Sequence, residues 1–162
     1  MRLALALIGL LIFAPAYAQP LDWQQYKPAS IGFSVELPGK PELSRQEGAV
    51  APGVDALVAF NRQDPAKTLV FLVKYTEYPP RPDSEAVLDV LSHALAGKYT
   101  LLSEQKEMLG GYPARRFTLE AHNNLQQMRV VITNRYLIQV LFGGPLGDAM
   151  GKRYLESLTI IK

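Results

Sequence analysis

The chain has 162 residues, 48% of them hydrophobic, with 17 lysines and arginines set against 15 aspartates and glutamates. A net charge of +2 this evenly mixed excludes an electrostatic nucleic-acid binder, which needs a clustered basic footprint. Cysteine is absent, which removes disulfides, thiol chemistry and a cysteine-linked lipid anchor, and leaves a packed core as the source of stability.

At the N-terminus, Met1-Arg2 supplies a short positive region, Leu3 to Phe13 is apolar apart from Gly9, and Ala16-Tyr17-Ala18 forms a small-x-small cleavage site. The pattern predicts a signal peptide over residues 1–18, cleaved after Ala18, and a mature domain over 19–162. The apolar run is shorter than the ~20 residues of a spanning helix and Pro15 interrupts it, so the predicted product has no transmembrane segment and is periplasmic or secreted.

Trp23 and Tyr26 stand in the opening segment of the mature chain. Phe33, Val35 and Leu37 then alternate with Ser34 and Glu36 until Pro38-Gly39, which predicts a half-buried strand and a turn. Lys40 to Pro52 is polar and punctuated by glycine and proline. Val54, Ala56, Val58 and Phe60 predict a second strand, and Leu69 to Val73, apolar at every position, predicts a central strand covered on both faces. Tyr78-Pro79-Pro80-Arg81-Pro82 reads as a stiff linker, because proline has no N–H to give a sheet.

After the linker, Asp83 or Ser84 is placed to cap a helix whose apolar stripe is Val87, Leu88, Leu91, Ala94 and Leu95, with Gly97 expected just past its end. From Thr100 a strand meander is predicted: Thr100–Met108, Tyr112–Glu120, Gln126–Thr133 and Arg135–Phe142, separated by Gly110-Gly111, His122-Asn123-Asn124 and Asn134. A short helix over Asp148–Ser157 and a terminal edge strand over Leu158–Ile161 close the chain. This order predicts an α+β fold, a mostly antiparallel sheet covered by helices.

Trp23-x-x-Tyr26, Gly32-Phe33-Ser34-Val35-Glu36-Leu37-Pro38, Gly111-Tyr112-Pro113-Ala114-Arg115-Arg116-Phe117, Asn134-Arg135-Tyr136-Leu137-Ile138 and Tyr154-Leu155-x-Ser157-Leu158 together resemble the PsbP-like group of small exported α/β/α-sandwich proteins. The resemblance covers nearly the whole mature chain, and its markers are strand and turn residues. It implies an accessory or binding protein and brings no catalytic signature.

Catalytic motifs fail in detail. Gly143-Gly144-Pro145-Leu146-Gly147-Asp148-Ala149-Met150-Gly151-Lys152-Arg153 sits between a strand and a helix as a P-loop does. Leu146 stands where a P-loop has glycine, and Arg153 where it has the Mg²⁺-binding hydroxyl. His93 and His122 are the only imidazoles, too few for a zinc site without thiolates. No serine lies in a Gly-x-Ser-x-Gly elbow. Glu36, Glu47, Asp55 and Glu120 are scattered and read as surface charges, although paired carboxylates from distant loops are a glycosidase's requirement. No cofactor or metal is expected.

The candidate binding residues are Trp23 and Tyr26 as an aromatic lip, Arg115 and Arg116 as forks for a carboxylate or phosphate, and Tyr136. Strand alternation sends Arg115 and Arg116 to opposite faces, so at most one looks into a cleft; the other faces solvent or lies beneath a helix. The expectation is a non-catalytic accessory protein of the bacterial envelope. Its partner would be a protein or envelope component, bound at a sheet edge or in the cleft between sheet and helix. Two alternatives remain: a hydrolase of an envelope polymer using dispersed carboxylates, and a small-molecule or lipid carrier, which needs an enclosed apolar cavity of at least ~300 Å³.

Overall fold

The computed structural model describes residues 22–46, 53–61, 68–77 and 83–161. The expected signal peptide, the Tyr78–Pro82 linker and Glu47 lie outside these residues. The described elements are β1 (Gln24–Tyr26), β2 (Phe33–Leu37), β3 (Glu42–Gln46), β4 (Gly53–Asn61), β5 (Thr68–Glu77), α1 (Ser84–Lys98), β6 (Thr100–Leu109), β7 (Tyr112–Ala121), β8 (Asn124–Ile132), β9 (Tyr136–Gly143), α2 (Ala149–Glu156) and β10 (Thr159–Ile160).

Seven strands form one antiparallel sheet in the order β3-β4-β5-β9-β8-β7-β6, and β1-β2-β10 form a second, smaller one. The fold is α+β, with a mostly antiparallel sheet covered by helices. Its turns follow from local chemistry. Gly110 and Gly111 take φ of 61° and 89°, and His122 and Asn123 take 50° and 63°, the left-handed pairs that join tight hairpins.

Side-chain alternation divides the large sheet's core in two. On one face Leu88 of α1, with Val87, Leu91 and Leu95 beside it, packs on Phe117, Leu119, Met128, Val130, Ile132 and Leu137. On the other, Phe33, Val35 and Leu37 of the small sheet and Tyr154 and Leu155 of α2 cover Phe71, Val73, Ile138, Val140 and Phe142. We call these the α1 face and the α2 face.

Asp83 caps α1, accepting from the Ala86 amide at 3.0 Å. The expected stop at Gly97 is corrected. The helix runs on to Lys98 and ends at Tyr99, whose extended backbone leads straight into β6 while its N–H still donates to the Leu95 carbonyl at 2.8 Å. A left-handed glycine exit would turn the chain away from that strand. The polar stretch after Pro38 contains an edge strand, β3, paired through Leu43↔Ala56; its sequence carries no burial pattern because an edge strand needs only backbone pairing. The terminal strand β10 pairs with β2 in the small sheet.

The central strand also departs from expectation. Leu69, Phe71 and Val73 are buried on the α2 face, whereas Val70 and Leu72 on the opposite face are only half-buried. The reason is the seat of α1, which packs mainly over β6 and β7 and leaves the floor above β5 and β9 partly open.

Candidate functional site

That offset creates a half-open groove of about 350 Å³ between the C-terminal half of α1 and the sheet. Strands β5, β9 and β8 each present one apolar and one polar side chain to it, two residues apart: Leu72 and Lys74, Leu141 and Gln139, Met128 and Gln126. Leu119 of β7 completes the floor, and Ala94, Leu95 and Tyr99 form the helical wall. Lys98 stands at the rim with its ammonium 5.1 Å from the centre of the Tyr99 ring. The lining is apolar beneath and polar at the edge, which suits an apolar group attached to a polar remainder.

Beneath the other half of α1, Arg115 is 2% exposed and binds three carboxylates. Its Nη1 donates to Glu104 at 2.6 Å, and its Nη2 donates to Glu85 at 3.1 Å and to Asp89. Burial alone would lower the pKa of this guanidinium, but its hydrogen bonds to Asp89, Glu85 and Glu104 outweigh that and raise the pKa above the ordinary arginine range. The hydrogen bond to Arg115 likewise holds the Asp89 carboxyl below the usual carboxylate value. Glu85 and Asp89 lie on α1 and Glu104 on β6, so Arg115 fastens the helix to the sheet edge.

The α2 face carries a second cluster. Glu107 accepts from Arg129 Nε at 2.6 Å and from Arg116 Nε at 3.0 Å, while Arg129 Nη1 donates to the Leu155 carbonyl at 3.2 Å in the last turn of α2. A cation there meets unpaired carbonyls and the negative end of the helix. Burial pushes the Glu107 carboxyl up, and the hydrogen bonds to Arg129 and Arg116 overcome it and bring it below its usual value.

The structure does not gather the sequence-derived candidates into one site. Trp23 packs edge-on to Phe71 and lies under the Arg153 guanidinium at 4.3 Å, and Arg153 Nε donates to Glu36 at 2.6 Å. Tyr26 stands against Phe33, with its hydroxyl pKa raised by burial and by a hydrogen bond with Tyr75. Tyr136 is buried in the same α2-face core, flanked by the Arg135 guanidinium at 5.6 Å. Arg115 is the arginine beneath a helix, and Arg116 lines a cleft on the opposite face. Sequence reasoning missed the groove residues Leu72, Leu141 and Tyr99; the two-faced apolarity of Leu69–Val73 was a signal for Leu72 alone. It also missed Arg129, an arginine set in the apolar run Met128–Ile132.

His93 and His122 are exposed, with His93 Nδ1 2.8 Å from the Asp89 carbonyl oxygen. Among the described residues no group of three or more His, Cys, Asp or Glu could hold a metal ion, and no helix is long and apolar enough to cross a membrane. At the glycine-rich β9–α2 turn, the Asp148 carboxylate accepts from the Met150 and Gly151 amides at 2.9 and 3.3 Å. It takes the place a phosphate would occupy at this helix N-terminus.

The fold and groove thus define an α+β protein with a cleft between helix and sheet. No family model and no curated protein matches the chain. Among solved structures it is similar to LpqN, described as involved in cell envelope biogenesis of Mycobacterium tuberculosis, with 13% identity and a TM-score of 0.55 over 86% of this chain and 91% of that one. At this identity the likeness is one of fold.

Proposed function

We propose that the protein is an exported, non-catalytic accessory protein of the cell envelope, which binds the apolar part of an envelope component in the groove between α1 and the sheet. The half-open apolar groove carries this reading. At about 350 Å³ it reaches the lower end of ligand-pocket volumes, and its open side lets a larger polar molecule leave only its apolar portion inside. The LpqN likeness supports an envelope setting. A carboxylate hydrolase fits less well, because it needs one acid held protonated. Asp89 and Glu107 are instead moved down by arginines.

The test is titration of the mature chain with the apolar fluorophore anilinonaphthalene sulfonate, followed by competition with dodecyl maltoside. Ala94 is exposed on the groove wall, so Ala94→Trp fills the groove without disturbing the core. Saturable binding that falls at least tenfold in Ala94→Trp at unchanged melting temperature is the expected result. Equal binding by the two proteins, or none by the unaltered chain, refutes the proposal.

A further inference from the structure

Arg116 and Arg129 stand directly opposite each other on β7 and β8, an arrangement in which like charges repel. One carboxylate lies between them. Glu107 is 21% exposed and takes Arg129 through Nε at 2.6 Å and Nη2 at 3.3 Å, but takes Arg116 through Nε alone. The Arg129 side chain is 8% exposed and its remaining Nη1 is spent on the Leu155 carbonyl. The cluster of two cations and one anion therefore keeps one positive charge. The two Nη groups of Arg116, which is 37% exposed, have no hydrogen-bond partner among the described residues.

Beside this charge lies a cleft of about 210 Å³ lined by both arginines and by Ser103, Gln105, Thr118 and Gln127. Alternation along three adjacent strands brings these side chains to one face. The two hydroxyls and two amides both donate and accept, the pattern that holds hydroxylated molecules, and the guanidinium fork matches the two oxygens of a carboxylate or phosphate. The volume admits a group of about one sugar ring and no long chain. Leu155 borders it, so the end of α2 forms one wall.

From this we propose a second binding site, on the face of the sheet opposite the apolar groove and independent of it: the Arg116–Arg129 cleft takes a hydroxylated oxyanion of monosaccharide size, with its carboxylate or phosphate on the Arg116 fork. A sugar acid and a phosphorylated sugar share that chemistry.

The test is calorimetric titration of the mature chain with glucuronate, glucose 6-phosphate and glucose, up to roughly 10 mM. The expected result is saturable binding of at least one anion and not of glucose. Glucuronate alone identifies a carboxylated source, glucose 6-phosphate alone a phosphorylated one, and both together the oxyanion itself. Arg116→Gln removes the fork and is expected to weaken binding at least tenfold. Gln105→Ala, at an exposed cleft position, gives a second variant should the first fail to fold, and is expected to weaken binding several-fold. Equal binding of glucose, no saturation by either anion, or undiminished affinity in a folded variant overturns the proposal.

Discussion

Glu107 shows how one carboxylate couples acid stability to two strands. Its folded-state pKa lies below the unfolded value of about 4.3, because the arginine hydrogen bonds outweigh burial. A depressed carboxylate stabilises the native state fully above the unfolded pKa and loses that contribution as pH falls through the folded one. Glu107→Gln preserves shape and removes the titration. The variant is expected to melt lower at about pH 7 and to lose less melting temperature between about pH 4.3 and pH 2.5 than the unaltered chain does. Parallel acid limbs in thermal melts would show that Glu107 is not a source of the dependence. Asp89 has the same sign through Arg115, so the variant's limb flattens without vanishing. At this scale the sequence was half legible. The adjacent Arg115-Arg116 pair on opposite faces could be read directly, but Arg129 finds Glu107 across 22 positions of chain, and no local pattern announces that pairing.

Among the elements, α2 was readable at its start because Asp148 is a cap with a local hydrogen-bond pattern, and β3 was not, because the lone apolar side chain of Glu-Leu-Ser-Arg-Gln, Leu43, makes no alternating pattern and stays exposed. The seat of α2 depends on Gly151. A Cβ at that position would fall inside the van der Waals envelope of the Phe142 ring, which is fully buried and cannot swing aside. Alanine is the better helix former by about 1 kcal/mol, yet overpacking a closed core costs about 1–3 kcal/mol, so the packing effect should win. Gly151→Ala is therefore expected to lower the denaturation midpoint by circular dichroism, and a midpoint equal to or above that of the unaltered chain would contradict the close approach.

The whole molecule is two hydrophobic layers that share one sheet, and its architecture was legible because alternation in the meander and helical spacing in α1 both survive folding unchanged. The groove was not, since it depends on where α1 comes to rest, and that is set by Arg115 of β7 gripping Glu85 and Asp89 of α1 and Glu104 of β6. Even so, the apolar run facing both ways at Leu69–Val73 pointed to cover on both faces, which the structure gives Leu72 only in part. Sharing a sheet also has a mechanical consequence. Strands β7, β8 and β9 carry alternate residues into each layer, so neither layer can lose its packing without releasing the backbone that supports the other. Trp23, the sole tryptophan, packs on Phe71 in the α2-face layer, whereas Leu88 is fully buried in the α1-face layer. Leu88→Ala should cost about 2–5 kcal/mol through lost burial and the cavity left behind. If the sheet couples the layers, Trp23 fluorescence and far-UV circular dichroism will shift together to the same lower urea midpoint. A tryptophan transition that stays in place while the far-UV signal moves would show instead that α1 detaches on its own, and that the apolar groove opens by local unfolding of its helical wall.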